Sequence, residues 1–216
     1  MVQIVLASAL IAWMNFLLLN IVGVLSWYFY ILSAMPAHRA EKHGDKAWED
    51  AKRFRAVSGV LLVVIVVQMV LWLWFPIPEL TMPVHPNPFV PMIVGLIFAI
   101  PLTTILVKGV KDAGSETMTP SQETQMYGGI YNYIRHPQMV GELPWFVIIA
   151  LFLNSLFLVA YAIIFIVISF PIIIYYEEKD LVKRFGEPYR EYQQRTGAII
   201  PKFRKRQKKQ ATQKSE

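Results

Sequence analysis

The chain has 216 residues, is 55% hydrophobic and contains no cysteine, which excludes disulfides, thiolate catalysis and cysteine-ligated metal. Its formal charge of +6 comes from 21 Lys and Arg against 15 Asp and Glu. The apolar residues are gathered into runs too long for the core helices of a globular domain, so composition excludes a water-soluble domain and points to a membrane protein.

The first run, from Val2 to Met35, carries no charge. As one helix it is roughly 50 Å long against a hydrocarbon core of about 30 Å, so it must tilt, bend near Gly23 or protrude. A break at Asn20 into two short spans is the alternative. No Lys or Arg precedes the run and no small-residue cleavage site follows it, so it does not read as a signal peptide. Asn15 and Asn20 need partners from neighbouring helices, and Trp13, Trp27, Tyr28 and Tyr30 read as packing residues and interfacial anchors.

The loop Pro36 to Arg55 mixes both charge signs, allows i,i+4 pairs such as Glu49 with Arg53, and reads as a short solvated helix without chemistry. A second span runs from Ala56 to Phe75 and stops at Pro76 and Pro78. The loop PIPELTMPVHPNP has five prolines in thirteen residues, which keeps it extended. Span three, about Phe89 to Val107, carries Pro101 inside and is expected to kink near residues 97–101. The connector Lys108 to Ile130 is long for a compact bundle, and loops of that length often serve as functional lids. Gly128-Gly129 lets the chain bend before the next motif, with neither the strand nor the third glycine of a dinucleotide fingerprint.

Two further apolar segments, about 138–153 and 155–176, are separated only by Asn154-Ser155, so they form an antiparallel hairpin. With a rise of roughly 1.5 Å per residue, His136 lies about 27 Å from the turn and Glu177 about 33 Å, on helices about 8–10 Å apart. Arg135-His136 and Glu177-Glu178 therefore meet at one end of the hairpin. Pro137 suits the first turn of a helix. Glu142 lies about one turn inside an apolar span, where an ionised carboxylate costs roughly 2.5–3.5 kcal/mol, so it needs Arg135 or a bound cation beside it. Gly186 reads as a helix terminus, and EPYREYQQRT as a short helix closed by Gly197, with Tyr189 and Tyr192 on one face.

Charge placement gives a topology. Six Lys and Arg fall between Arg39 and Arg55, three between Lys108 and Arg135, twelve after Glu178 and none between Pro76 and Pro88. The positive-inside rule then places the N-terminus outside and the C-terminus inside, with the Arg135 and Glu177 corner facing the cytoplasm. The expected fold is all-α: a polytopic membrane bundle of about five transmembrane helices, followed by a cytoplasmic C-terminal helix. Residues 1–110 hold the first three spans, 111–202 the hairpin with its cofactor site, and 203–216 a basic disordered tail. Histidines at 38, 43, 85 and 136 have no metal-ligand spacing, so no metal is expected.

The ordered series Gly129-x-Tyr131-x-x-x-Arg135-His136-Pro137, Gly141-Glu142, Glu177-Glu178-x-x-Leu181-x-x-x-Phe185-Gly186-x-x-Tyr189-x-x-Tyr192 and Pro201 resembles the isoprenylcysteine carboxyl methyltransferase family and the related phospholipid methyltransferases. The resemblance covers about Gly128 to Lys202. It implies a membrane-embedded enzyme that uses S-adenosylmethionine, with cofactor contacts from Tyr131, Arg135, His136, Met139, Glu177 and Glu178. Met139 stands where many members have a tyrosine. Arg135 and Glu142 are the catalytic candidates: Arg135 to orient a carboxylate acceptor, Glu142 to take the proton of an amine. The acceptor is expected to be lipophilic and to enter from the bilayer, with membrane lipids as surroundings and neither nucleic acid nor an obligate protein partner. A prokaryotic cytoplasmic membrane and an endoplasmic reticulum are both consistent with the spans. The competing readings are a nicotinamide-dependent membrane reductase of sterol-reductase type, which extra basic residues in place of the two glutamates would favour, and a non-catalytic membrane protein.

Overall fold

The structure, a computed structural model, describes residues 2–123 and 128–202. The basic segment 203–216 and residues 124–127 of the connector lie outside the described residues. Eight α-helices follow one another among the described residues: α1 (Val2–Ala34), α2 (Pro36–His43), α3 (Lys46–Leu71), α4 (Phe89–Ala113), α5 (Pro137–Glu142), α6 (Trp145–Phe152), α7 (Leu156–Phe185) and α8 (Glu187–Arg195). Among the described residues there is no β-strand, only two isolated bridges. Four helices among the described residues are long and apolar enough to cross a membrane, and Pro137–Phe152 is a shorter apolar helical stretch. Only 17–22% of each long span's apolar window is buried inside the bundle, so most of that surface requires hydrocarbon around it.

α1 runs unbroken through Asn20, which excludes the two-span alternative. The amide satisfies itself: its Nδ2 donates to the Phe16 carbonyl at 2.7 Å, and its Oδ1 accepts from the Tyr161 hydroxyl at 3.2 Å. Asn15 donates across to the Gln68 carbonyl. Ser26 and Ser58 meet in the α1–α3 seam with their hydroxyls 3.2 Å apart, small side chains that let two backbones approach closely. α4 likewise continues as one helix through Pro101.

The hairpin turns where its sequence requires. Asn154 takes a left-handed φ of 48°, and the Ser155 hydroxyl accepts from the Leu158 N–H to cap α7, a role suited to serine. The proline-rich loop after α3 is fastened to this turn. Asn154 donates to the His85 carbonyl and accepts from the His85 N–H, while the Leu156 N–H donates to the Met82 carbonyl.

The first arm differs from expectation. Instead of one helix over 138–153 there are two short ones, α5 and α6, joined at Leu143-Pro144. At Pro144 the missing N–H and the clash of the ring with the carbonyl four residues earlier interrupt the helix, whereas α4 and α7 carry Pro101 and Pro171 inside them. With 16 residues and a length of about 24 Å, this arm is shorter than a full hydrocarbon core.

At the far end, α7 continues into Phe185 and breaks at Gly186, whose φ of 63° suits glycine. Asp180, 1% exposed on α7, accepts from the Ala37 and His38 N–H groups and from the His38 ring. A carboxylate from one helix thus caps another, stitching α2 to α7.

Candidate functional site

The segment entering α5 is pinned on every side. The Ile130 N–H donates to Asp112 at 2.7 Å, and the Tyr131 hydroxyl donates to the Gly109 carbonyl at 3.2 Å. Gln138 donates to that same hydroxyl, and Tyr192 of α8 donates to the Tyr131 carbonyl at 2.6 Å. The Arg135 and His136 N–H groups donate to the carbonyls of Gly197 and Ala198. Only glycine fits at 197, because a Cβ there would lie 1.7 Å from the Ile200 oxygen.

The corner expected from hairpin arithmetic then forms. Nδ1 of His136 lies 2.8 Å from Glu177 and Nε2 lies 3.0 Å from Glu178. Tyr30 of α1 donates to the other oxygen of Glu177 at 2.6 Å. Arg135 donates to Glu178 at 2.6 Å and to the backbone carbonyls of Gln193 and Thr196, and Gln193 donates to the second oxygen of Glu178.

An imidazole with a carboxylate at each nitrogen satisfies both only as the imidazolium, which donates twice. Burial pushes the His136 pKa down, but the hydrogen bonds and charges of Glu177 and Glu178 outweigh it and raise the pKa to about 9. Arg135 and His136 therefore balance Glu177 and Glu178, and the corner is neutral near pH 7. Burial drives the Tyr131 phenol well above its ordinary value, so this tyrosine acts as a donor and not as a base.

Beside the corner lies a cavity of about 670 Å³, within the range of small-molecule sites. Of the residues expected at the site, Tyr131, Arg135, His136, Met139, Glu142 and Glu177 line it. Glu178 does not. It stands behind His136 and braces the imidazole, Arg135 and Gln193. Arg135, expected as a partner for Glu142, is taken by Glu178 instead. Glu142 lines the cavity, where its side chain is exposed, and makes no hydrogen bond or ion pair with any described residue.

Tyr30, Arg55, Glu116, Gln138 and Arg184 also line the cavity, and none stands out in the sequence. Tyr30 carries no signal beyond an aromatic at a helix end, and Arg55 is one of several cations in a mixed-charge loop. Among the described residues no group of three or more His, Asp or Glu is placed to hold a metal.

Comparison with known proteins bears out the resemblance. Residues 91–188 match the model of the phospholipid methyltransferase family, a stretch running from α4 to the first turn of α8 and containing the whole corner and Glu142. No curated protein and no solved structure matches the chain.

Proposed function

We propose, from the match of residues 91–188 to the phospholipid methyltransferase family, that this chain is a membrane-embedded methyltransferase acting with S-adenosylmethionine on a lipophilic acceptor. The observation that carries the reading is the juxtaposition of a charge-balanced corner, Arg135, His136, Glu177 and Glu178, with a largely apolar cavity holding one unpaired carboxylate. An amino-acid group carries one ammonium and one carboxylate, so the charged set suits it: Glu177 for the cationic groups and the Arg135 guanidinium for the carboxylate, with His136, both ring nitrogens on Glu177 and Glu178, holding the two glutamates in place. When bound, S-adenosylmethionine supplies an already activated methyl group, which leaves positioning and desolvation as the protein's main tasks. Tyr30 and Glu178 position Glu177 and His136.

The unpaired state of Glu142 favours an amine acceptor. A carboxylate acceptor beside it would be repelled, whereas an ammonium is attracted and can pass its proton to Glu142 before the new C–N bond forms and the C–S bond breaks. The distribution of Lys and Arg supports a corner on the cytoplasmic side.

The test is calorimetric titration of the detergent-purified protein with S-adenosylhomocysteine, in parallel with reduced nicotinamide cofactor. Saturable binding of the first alone, lost in His136→Ala, is expected; binding of the nicotinamide alone would overturn the reading. Glu142→Gln should lower turnover of an amine acceptor by roughly 10²-fold or more while leaving the S-adenosylhomocysteine Kd within about twofold. Loss of cofactor binding in that variant would instead move Glu142 into the cofactor site.

A further inference from the structure

Four cationic side chains line the cavity: Arg55, Arg135, His136 and Arg184. Three are held by carboxylates: Arg135 by Glu178, His136 by Glu177 and Glu178, and Arg184 by Glu116. Arg55 is not. Its Nε donates to the Ser33 hydroxyl at 3.4 Å, and its Nη1 donates to the carbonyls of Glu116 and Thr117 at 3.0 and 2.8 Å. Its guanidinium stands 5.9 Å from the Tyr30 ring centre. Every one of these hydrogen-bond partners is neutral, the Glu177 carboxylate that feels its charge is bonded to His136 and Tyr30 instead, and Nη2 makes no hydrogen bond with any described residue.

What surrounds Arg55 is amphiphilic. From it, α3 presents Gly59, Val60, Leu62 and Val63 to the same cavity, one helical face at spacings of about four and seven or eight residues. Across the gap stand Leu106 and Val110 of α4. α1 packs on α3 and α4 packs on α5 and α6, with no comparable packing between α3 and α4. The cavity wall is accordingly open there: Val60 and Val63 are each 64% exposed and Val110 41%. On helices long and apolar enough to cross a membrane, that opening faces hydrocarbon.

We propose that Arg55 is the anion subsite for an amphiphile whose hydrocarbon chain enters between α3 and α4, so that Arg55 selects a methyl acceptor carrying a phosphate or carboxylate at the end of an apolar chain. Arg55 lies outside the stretch matched by the family. Calling the ligand an acceptor rests on the methyltransferase reading; the anion subsite itself does not. With Glu142 as the cavity's unpaired negative charge, the headgroup that satisfies both side chains has an anion next to an amine.

The probes are dodecyl phosphate and dodecanol, which share a chain and differ in the anion, titrated into the full protein in a nonionic maltoside detergent. Binding is read by the shift in thermal unfolding, and S-adenosylhomocysteine is titrated separately. The wild type is expected to bind dodecyl phosphate roughly tenfold or more tighter than dodecanol, as a charge-assisted hydrogen bond would give. Arg55→Gln should bring the two together while S-adenosylhomocysteine still binds, more weakly because the turn at Glu116 and Thr117 loses its hold on Arg55, and Arg55→Lys should keep part of the preference. No preference in the wild type overturns the proposal, whether or not the variants fold. Loss of S-adenosylhomocysteine binding in Arg55→Gln, with the phosphate preference intact, overturns it by assigning Arg55 to the cofactor. A Cβ at Gly59 would meet nothing within 4 Å, so Gly59→Phe should fold and weaken both amphiphiles alike; unchanged affinities would remove the opening between α3 and α4 from the proposal. Phosphate preference without any S-adenosylhomocysteine binding would sink the methyltransferase reading and leave the subsite standing.

Discussion

His136 shows how much one protonation state can hold. Its ring is buried between Glu177 and Glu178, and a neutral imidazole donates to only one of them. The folded pKa, about 9 against an ordinary 6.5, is raised, so the stabilisation is complete below about pH 6.5 and is lost as pH rises through about 9. Linkage over that interval amounts to roughly 3 kcal/mol. Unfolding followed in detergent from pH 6 to pH 10 should show the wild type losing stability across this window and His136→Gln nearly flat; parallel curves would mean that the ring is not charged in the fold. Tyr30 acts on the same cluster from the opposite end of the chain. Its hydroxyl donates to Glu177 at 2.6 Å, and hydrogen bonds to charged groups are worth roughly 1.5–3 kcal/mol. Tyr30→Phe should cost about that much in unfolding free energy and weaken S-adenosylhomocysteine binding. A variant indistinguishable from wild type in both would remove Tyr30 from the site.

Helices in this fold approach one another where side chains are absent. A Cβ on Gly141 would lie 2.5 Å from the Leu106 backbone nitrogen and 2.7 Å from its Cα, and backbone does not yield as a flexible side chain does. Gly141→Ala must push α5 off α4, at a cost of roughly 1–3 kcal/mol. Because α5 carries Glu142 and follows His136, cofactor affinity should fall together with the unfolding midpoint. Gly59→Ala is the control: its Cβ meets open space, and removing glycine from a helix interior should stabilise by roughly 0.5–1 kcal/mol. Equal effects of the two substitutions would mean that helix propensity, not contact with Leu106, decides. At this scale much was legible in the sequence. Asn154-Ser155 marks the hairpin turn, Gly186 the end of α7, and chain length alone brings His136 to Glu177. The break at Pro144 was present in the sequence too, but a count of apolar residues passes over it. Other features were not accessible. Neighbouring residues on a helix point about 100° apart, so only one of Glu177 and Glu178 can face the cavity, and the rotation of α7 that decides between them is set by packing on α1. Tyr30 reaches Glu177 across 147 residues, a distance over which no periodicity speaks.

The bundle as a whole is closed at the His136 end by a piece of the connector. Residues 114–117 form a 3₁₀ turn, and Glu116, 4% exposed, joins it to the helices: its carboxylate takes Arg184 of α7 at 2.7 Å and the Ser121 N–H at 3.0 Å. Arg55 of α3 holds the carbonyls of Glu116 and Thr117. Arg184 is enclosed between the rings of Trp48 and Phe185, 5.2 and 4.7 Å from its guanidinium carbon, and its Nε finds no acceptor. Its charge therefore depends on Glu116. Removing one partner of a buried ion pair leaves the other uncompensated and costs roughly 3–5 kcal/mol, whereas replacing both by apolar groups of similar volume can be neutral. Glu116→Gln is expected to lower the unfolding midpoint sharply and to speed hydrogen exchange at residues 114–121. The double variant Glu116→Leu with Arg184→Met should recover most of the midpoint, because the connector then packs on apolar contacts while Arg55 still holds its carbonyls. If the double variant is no more stable than Glu116→Gln, Arg184 contributes through its aromatic neighbours instead, and the connector is held by Arg55 alone. Since Glu116, Thr117, Met118 and Pro120 all line the cavity, faster exchange in Glu116→Gln should come with faster dissociation of S-adenosylhomocysteine, the kinetic sign of a wall that has loosened.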